Sequence, residues 1–376
     1  RALRGGAHGE DFWNWRTTMY QVAERLDPDR YHELALGVFG EMLDAGYTSV
    51  GEFHYLHHRP DGSRYPRHEM ELAVAEAARQ AGIRLTLLDT CYLHGGFGQP
   101  LEAGQTRFGD GSVEAWLQRW HELADALPAD PRMRLGAALH SVRAVAPDEL
   151  HHAIAGLPAE VPVHVHVSEQ PAENRACQEA TGLTPTTVLE RAGVLSARTT
   201  VVHATHLSDE DLAMIARTGT TVSLCPTTEA DLADGIPRTA DLVAAGVPLA
   251  IGSDENVVTD PFAELRMIES GVRLSSGRRG VVSNERLWGS GAQVHSVLPE
   301  LAAVDPQRPG LRVGDPADMV VISPDSARLA GVDPLRWPLT ASEADVTATI
   351  VAGQRVPSHS PATLRSALHT LFKEDS

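Results

Sequence analysis

The sequence predicts an α/β protein: a (β/α)8 TIM-like barrel without its first strand here, joined to a small β-sandwich module. Three observations carry this. Short β-branched or apolar runs alternate with longer helical ones. Glycines punctuate the chain where helices should end, and polar residues that the apolar pattern does not explain sit where the strand-like runs finish.

The strand candidates, in order, are Tyr47–Phe53, Leu85–Tyr92, Arg134–Val142, Val161–Val167, Thr200–Ala204, Thr220–Cys225 and Pro248–Gly252. Between them lie helical stretches at Tyr31–Ala45, Arg67–Gln80, Val113–Ala126, Pro147–Ala155, Thr186–Ala192 and Ser208–Arg217. Gly46, Gly82, Gly193, Gly219 and Gly246 stand where C-terminal caps are expected. Strand, helix, strand at this spacing argues for a parallel sheet covered by helices. After about Gln307 the texture changes: "GLRVGDPADMVVI" and "ATIVAGQRV" read as short strands joined by turns. The expected division is a barrel over 1–308, a partial β-sandwich module over 309–360, and a C-terminal helix within 361–376, from Pro361 to Phe372.

Composition removes several function classes. Of 376 residues 42% are hydrophobic and 22% charged, which excludes disordered and fibrous chains. A net charge of −18 argues against wrapping nucleic acid or docking on anionic lipid. No apolar run approaches the roughly 18 residues of a membrane span. Cys91, Cys177 and Cys225, far apart and odd in number, give no disulfide framework and suggest a reducing cytoplasm. Lys373 is the single lysine, so Schiff-base, P-loop and carboxylated-lysine metal chemistry have no residue to use. The chain opens on Arg1 rather than methionine, and an upstream segment is therefore expected.

In a barrel of this kind chemistry gathers at the C-terminal ends of the strands. Five strings qualify: "GEFHYLHH", "LHSVR", "HVHVSEQ", "HATH" and "GSDEN". In the third, His164 and His166 share one strand face while Val163, Val165 and Val167 take the other. His166 lies nearer the mouth by about 6–7 Å, at ~3.3 Å of rise per residue, and is the better ligand. Glu169 follows where strand gives way to loop, placed to reach a water or a substrate nitrogen. His203 closes the next strand and Asp254 the last; alone, each has a structural reading, Asp254 as a helix N-cap. His57 and His58 are adjacent and point apart, and read as loop histidines. Together, His, His and Asp on successive late strands suit zinc or iron with an open position for water.

These strings resemble the amidohydrolase superfamily. "VGEFHYLHHRPDG", "LHSVRAV", "HVHVSEQPAE", "VVHATHLS", "LCPTTEADLADGIP" and "GDPADMVVI" are similar to its deiminases that act on N-formimino-L-glutamate in histidine degradation, over nearly the whole chain. The resemblance implies a metal bound by His166 and Asp254 together with a His-x-His pair on the first strand. It implies Glu169 as the catalytic glutamate, with His203 and Asp254 also catalytic, and substrate contacts from Arg16, Tyr55, His140, Arg143 and His203. Two departures stand out. "RALRGG" matches the stretch after the His-x-His pair, so the pair and the glutamine following it are absent from this sequence. Glu255 and Asn256 replace the Ser-His that usually follows the strand-eight aspartate.

The expectation is a mononuclear hydrolase, zinc first and iron second, that converts N-formimino-L-glutamate to N-formyl-L-glutamate and ammonia. The substrate is a small dicarboxylate, so an acidic protein needs local arginines, and Arg16 and Arg143 offer bidentate geometry. Nucleic acid and membrane are not expected as partners; a homodimer is compatible. The rivals are a related deaminase acting on another amidine or a heterocycle, and a metal-free inactive homologue if the His-x-His strand is truly missing.

Overall fold

The computed structural model describes residues 19–292 and 313–372. Seven parallel strands form one sheet in chain order: β1 (Ser49–His54), β2 (Arg84–Cys91), β3 (Met133–Leu139), β4 (Val163–Val167), β5 (Thr199–His203), β6 (Thr221–Leu224) and β7 (Leu249–Ile251). Each expected strand is present, with ends displaced by at most three residues. The largest displacement is at β3, which stops at Leu139; the chain then turns, with the Ala144 and Val145 amides both bonded to the Ser141 carbonyl.

Helices cover the outer face. The first seven are α1 (Pro28–Ala45), α2 (Glu69–Ala81), α3 (Val113–Ala126), α4 (Pro147–Gly156), α5 (Pro171–Thr181), α6 (Pro185–Arg191) and α7 (Asp209–Thr218). Then come α8 (Pro226–Asp231), α9 (Thr239–Ala244), α10 (Pro261–Ser276) and α11 (Asn284–Gly291). Local chemistry sets their ends. Asp27 accepts the Arg30 amide and Pro28 opens α1, while Gly46 closes it at φ 101°, a left-handed conformation that glycine adopts without Cβ strain. The helices α5, α8, α9, α10 and α11 are additional to the expected set.

Strand alternation decides what faces the barrel interior. On β4, Val163, Val165 and Val167 are fully buried in the core between sheet and helices. His164 and His166 therefore point the other way. On β1 the same rule sends His54 outward, to Tyr31 of α1, and Phe53 inward, against His140 and His166.

The β module is a three-stranded antiparallel sheet, ordered β10 (Gln354–Arg355), β9 (Val346–Val351), β8 (Met319–Ile322). Arg84 of β2 holds Asp318 through paired hydrogen bonds of 2.8 and 3.0 Å, and the Thr349 hydroxyl donates to the Leu43 carbonyl at 2.6 Å. The last helix, α12 (Pro361–Phe372), packs along α1, with Leu364 against Gly37. All three cysteines are buried and unbridged. Among the described residues, no helix is long and apolar enough to cross a membrane.

Candidate active site

The ends of β4, β5 and β7 bring His166, Glu169, His203 and Asp254 together. The His166 and His203 rings lie 5.6 Å apart and nearly parallel, at 19°. His203 Nε2 is 3.7 Å from Glu169 Oε1 and 3.8 Å from Asp254 Oδ2. Five non-glycine residues here have left-handed backbone: Ser168, His203, Ala204, Asp254 and Asn256. Strain of this kind persists where the surroundings over-determine the backbone, and it clusters at functional sites. Asp254 does not cap a helix. Asp260 caps α10, accepting the Phe262 amide at 2.9 Å.

His166 Nδ1 donates to the His140 carbonyl at 3.0 Å, which leaves Nε2 as the lone-pair nitrogen. Burial, with the charge of His203 beside it, pushes the His166 pKa down to about 3, so the ring is neutral at physiological pH. A neutral imidazole whose second nitrogen is held by a backbone carbonyl is the usual form of a metal-ligating histidine. For His203 burial opposes the charge, yet Glu169, Cys225 and Glu229 carry the pKa well above its ordinary value. Burial raises Glu169, an effect that His203 opposes.

The substrate-contact candidates divide. Tyr55 and His140 pack edge to face at 5.6 Å, and His140 lies 5.2 Å from His166. Arg143 reaches Glu169, Glu173 and His166 electrostatically, and its buried Nε has no hydrogen-bond partner. Arg16 lies outside the described residues.

A second ring of acids surrounds the site, of which the sequence singles out only Glu255. Glu173 on α5 is pushed up to about 7 by burial, and Asp234 to about 8 by burial and Glu169. Glu255 rises to about 7 through burial and Asp254. Glu229 on α8 places Oε1 3.5 Å from His203 Nδ1. One signal was readable: Pro226 opens a helix directly after β6, which returns Glu229 to the strand end. Two groups of side chains offer converging ligand atoms near the site: His203, Cys225 and Asp254, and Glu169, His203 and Asp234.

His57 and His58 lie in the loop that follows β1, as expected. Both are buried, His57 against Glu71 at 2.9 Å and His58 against Asp110 at 3.2 Å. Arg119 ties the two acids together, at 3.2 and 2.9 Å, and also holds Asp89. Adjacent rings point apart, but each found an acid from a distant stretch of chain.

The family model described as "Amidohydrolase family" matches residues 1–356. The chain belongs to the amidohydrolase family. As an amidohydrolase with this fold and relatives of this kind, it is a hydrolase acting on carbon–nitrogen bonds. It is 38% identical over 369 residues to formimidoylglutamate deiminase of Pseudomonas aeruginosa, covering 95% of this chain and 81% of that protein. It is 26% identical to 8-oxoguanine deaminase of the same organism, covering 85% of this chain and 70% of that one. Among solved structures, an amidohydrolase from Brucella melitensis matches with a TM-score of 0.87 and 35% identity, covering 98% of this chain and 84% of that one. A zinc-bound adenosine deaminase from Xanthomonas campestris shares the amidohydrolase barrel fold, at a TM-score of 0.82 and 20% identity over 99% and 82% of the two chains.

Proposed function

We propose that this amidohydrolase removes ammonia from N-formimino-L-glutamate to give N-formyl-L-glutamate, a step of histidine degradation, in a reducing cytoplasm that suits its three free thiols. The observation that carries the reading is Arg143. On a chain of net charge −18, with Glu169 and Glu173 close by, a guanidinium with a buried, unpartnered Nε is a waiting carboxylate site. The 38% identity to formimidoylglutamate deiminase supports the same substrate.

The donors suit a divalent ion, zinc before iron: His166 presents a neutral Nε2 at the end of β4, and Asp254, 3.8 Å from His203, supplies a carboxylate at the end of β7. Such an ion supplies Lewis acidity that makes water a stronger acid. Asp254 takes the proton that the attacking water loses. His203, with Nε2 between Glu169 and Asp254, donates to the oxygen as the formimino carbon becomes tetrahedral. Glu169, kept basic by burial, carries a proton to the departing nitrogen, which leaves as ammonia. Arg143 pairs with one substrate carboxylate, Tyr55 and His140 line the approach, and Arg16 is assigned to the second carboxylate by resemblance.

A substrate panel tests the reading. Turnover of N-formimino-L-glutamate should exceed that of a neutral formamidine by orders of magnitude, and Arg143→Met should raise KM for the dicarboxylate alone. Equal turnover of the neutral amidine, or of a purine base, would overturn it. Metal analysis of the full-length protein should find one equivalent of zinc or iron.

A further inference from the structure

We propose that Glu229 is a positioning residue for His203, its buried carboxylate fixing the imidazole by accepting a hydrogen bond from Nδ1–H and so aiming Nε2 at the reacting centre. This deepens the reading above and rests on the role given there to His203.

Three observations lead to it. Glu229 Oε1 lies 3.5 Å from His203 Nδ1, with the two side chains only 2% and 1% exposed. His203 Nδ1 is buried and has no hydrogen bond of its own, so the carboxylate beside it is the acceptor to claim it. Active-site hydrogen bonds are often long before substrate binds and tighten in the complex. Glu229 is also itself fixed in place: the same Oε1 accepts the Cys225 amide at 2.9 Å, and its carbonyl accepts the Asp234 amide at 2.9 Å. The carboxylate thus sits where the chain leaves β6 and turns into α8.

The charge is the informative part. An amide side chain would satisfy the Cys225 N–H as well as a carboxylate does, without the cost of burying a negative group. A glutamate at this position is explained by the ring facing it. A carboxylate behind a catalytic histidine keeps the proton on Nδ1 and fixes the ring orientation. With Glu229 on Nδ1, Nε2 faces Glu169 and Asp254 at 3.7 and 3.8 Å. The left-handed φ of 67° at His203 leaves the backbone little freedom to compensate if the ring turns.

The test uses the full-length, zinc-loaded protein with Glu229→Gln and Glu229→Asp. Glu229→Gln keeps the Cys225 acceptor and should lower kcat by about 10–100-fold, with KM within about threefold of wild type and the melting temperature nearly unchanged. Glu229→Asp should recover part of kcat. Imidazole ¹⁵N–¹H spectra, with the His203 signal assigned from His203→Asn, give a readout independent of turnover. Wild type should show a protonated Nδ1 with a downfield proton, and Glu229→Gln should shift it upfield. A kcat within twofold of wild type in folded Glu229→Gln overturns the proposal. If that variant does not fold, an unprotonated Nδ1 in wild type overturns it. Failure of the substrate reading is separate: wild type would then prefer a neutral amidine, and Glu229→Gln is measured with that substrate instead.

Discussion

Phe53 lays its ring on the imidazole of His166, with centroids 4.1 Å apart and planes inclined by 31°. The contact exists because β1 sends Phe53 into the barrel and His54 out of it, while β4 sends His166 in. The aromatic wall fixes one side of a ring whose Nδ1 is already held by the His140 carbonyl. Phe53→Leu keeps an apolar residue but removes the flat surface. Its expected effect is a loss of about tenfold in metal affinity and in kcat/KM, with little change in melting temperature. Metal titration and steady-state kinetics check this, and a fully active variant would show that the contact is only packing.

The buried network around Arg119 is a stability device on the helix side of the sheet. Burial opposes charge on Glu71 and Asp110, yet their partners win: His54, His57 and Arg119 hold Glu71 well below 4.5, and His58 with Arg119 holds Asp110 well below 3.8. Arg119 is 3% exposed, so Arg119→Met strands three carboxylates in the interior. The expected cost is about 3–5 kcal/mol, read from urea unfolding. The pH dependence has a defined sign. The folded carboxylates titrate below their unfolded values of 4.5 and 3.8, so their contribution is complete above about pH 4.5. It is lost as pH falls through the depressed folded values. The acid-unfolding midpoint of Arg119→Met should therefore move upward, as followed by circular dichroism. An unchanged midpoint would assign the acid limb to other groups.

The two sites differ in how readable they were. His166, His203 and Asp254 stood out because a polar residue ending an apolar run has no packing reason to be there. Val113–Ala126 and Pro361–Phe372 matched their helices because capping and periodicity agree over a dozen residues. The helix α5 escaped because its sequence, PAENRACQEAT, is mostly polar and buries only Glu173 and Cys177. Asp234 escaped for a different reason. Its position depends on left-handed backbone at Ala233 and Gly235, which no side-chain pattern announces. The burial of His57 and His58 within their loop is not legible, since their partners, Glu71 and Asp110, are brought to them only by packing α2 and the loop before α3 against the sheet.

Glu264 gives a pH dependence of the opposite sign. It is fully buried on α10, where it accepts the Thr227 amide at 3.1 Å and the Thr227 hydroxyl at 2.5 Å. Burial outweighs both bonds and pushes its pKa up from 4.5 to about 8. The fold thus prefers the protonated acid. Its contribution is complete below pH 4.5, where the unfolded chain is protonated too, and falls as pH rises toward 8. Glu264→Gln mimics the neutral acid at every pH. Its unfolding free energy should fall less than that of wild type between pH 5 and pH 8, a difference on the order of a few kcal/mol read from urea unfolding. Parallel curves for the two proteins across that range would show that Glu264 is ionised in the fold.

The helices α1 and α12 meet where Gly37 faces Leu364. A Cβ built on Gly37 would lie 2.6 Å from the Leu364 Cα and 2.9 Å from its amide nitrogen, and both are backbone atoms that cannot rotate aside. Gly40, one turn on, meets His359 at 2.8 Å, and the His359 amide caps the Asp44 carboxylate at 3.1 Å. The two glycines thus form a groove in which the end of the chain lies. In a free helix Gly37→Ala would be favourable by up to about 1 kcal/mol through helix propensity. Here the clash should dominate, at about 1–3 kcal/mol of net destabilisation. The mechanism predicts where the damage appears: α12 should become sensitive to limited proteolysis at the chain end before the barrel loses its melting transition. A variant as stable as wild type, with α12 still protected, would mean that the helices separate at less cost than the backbone distances imply.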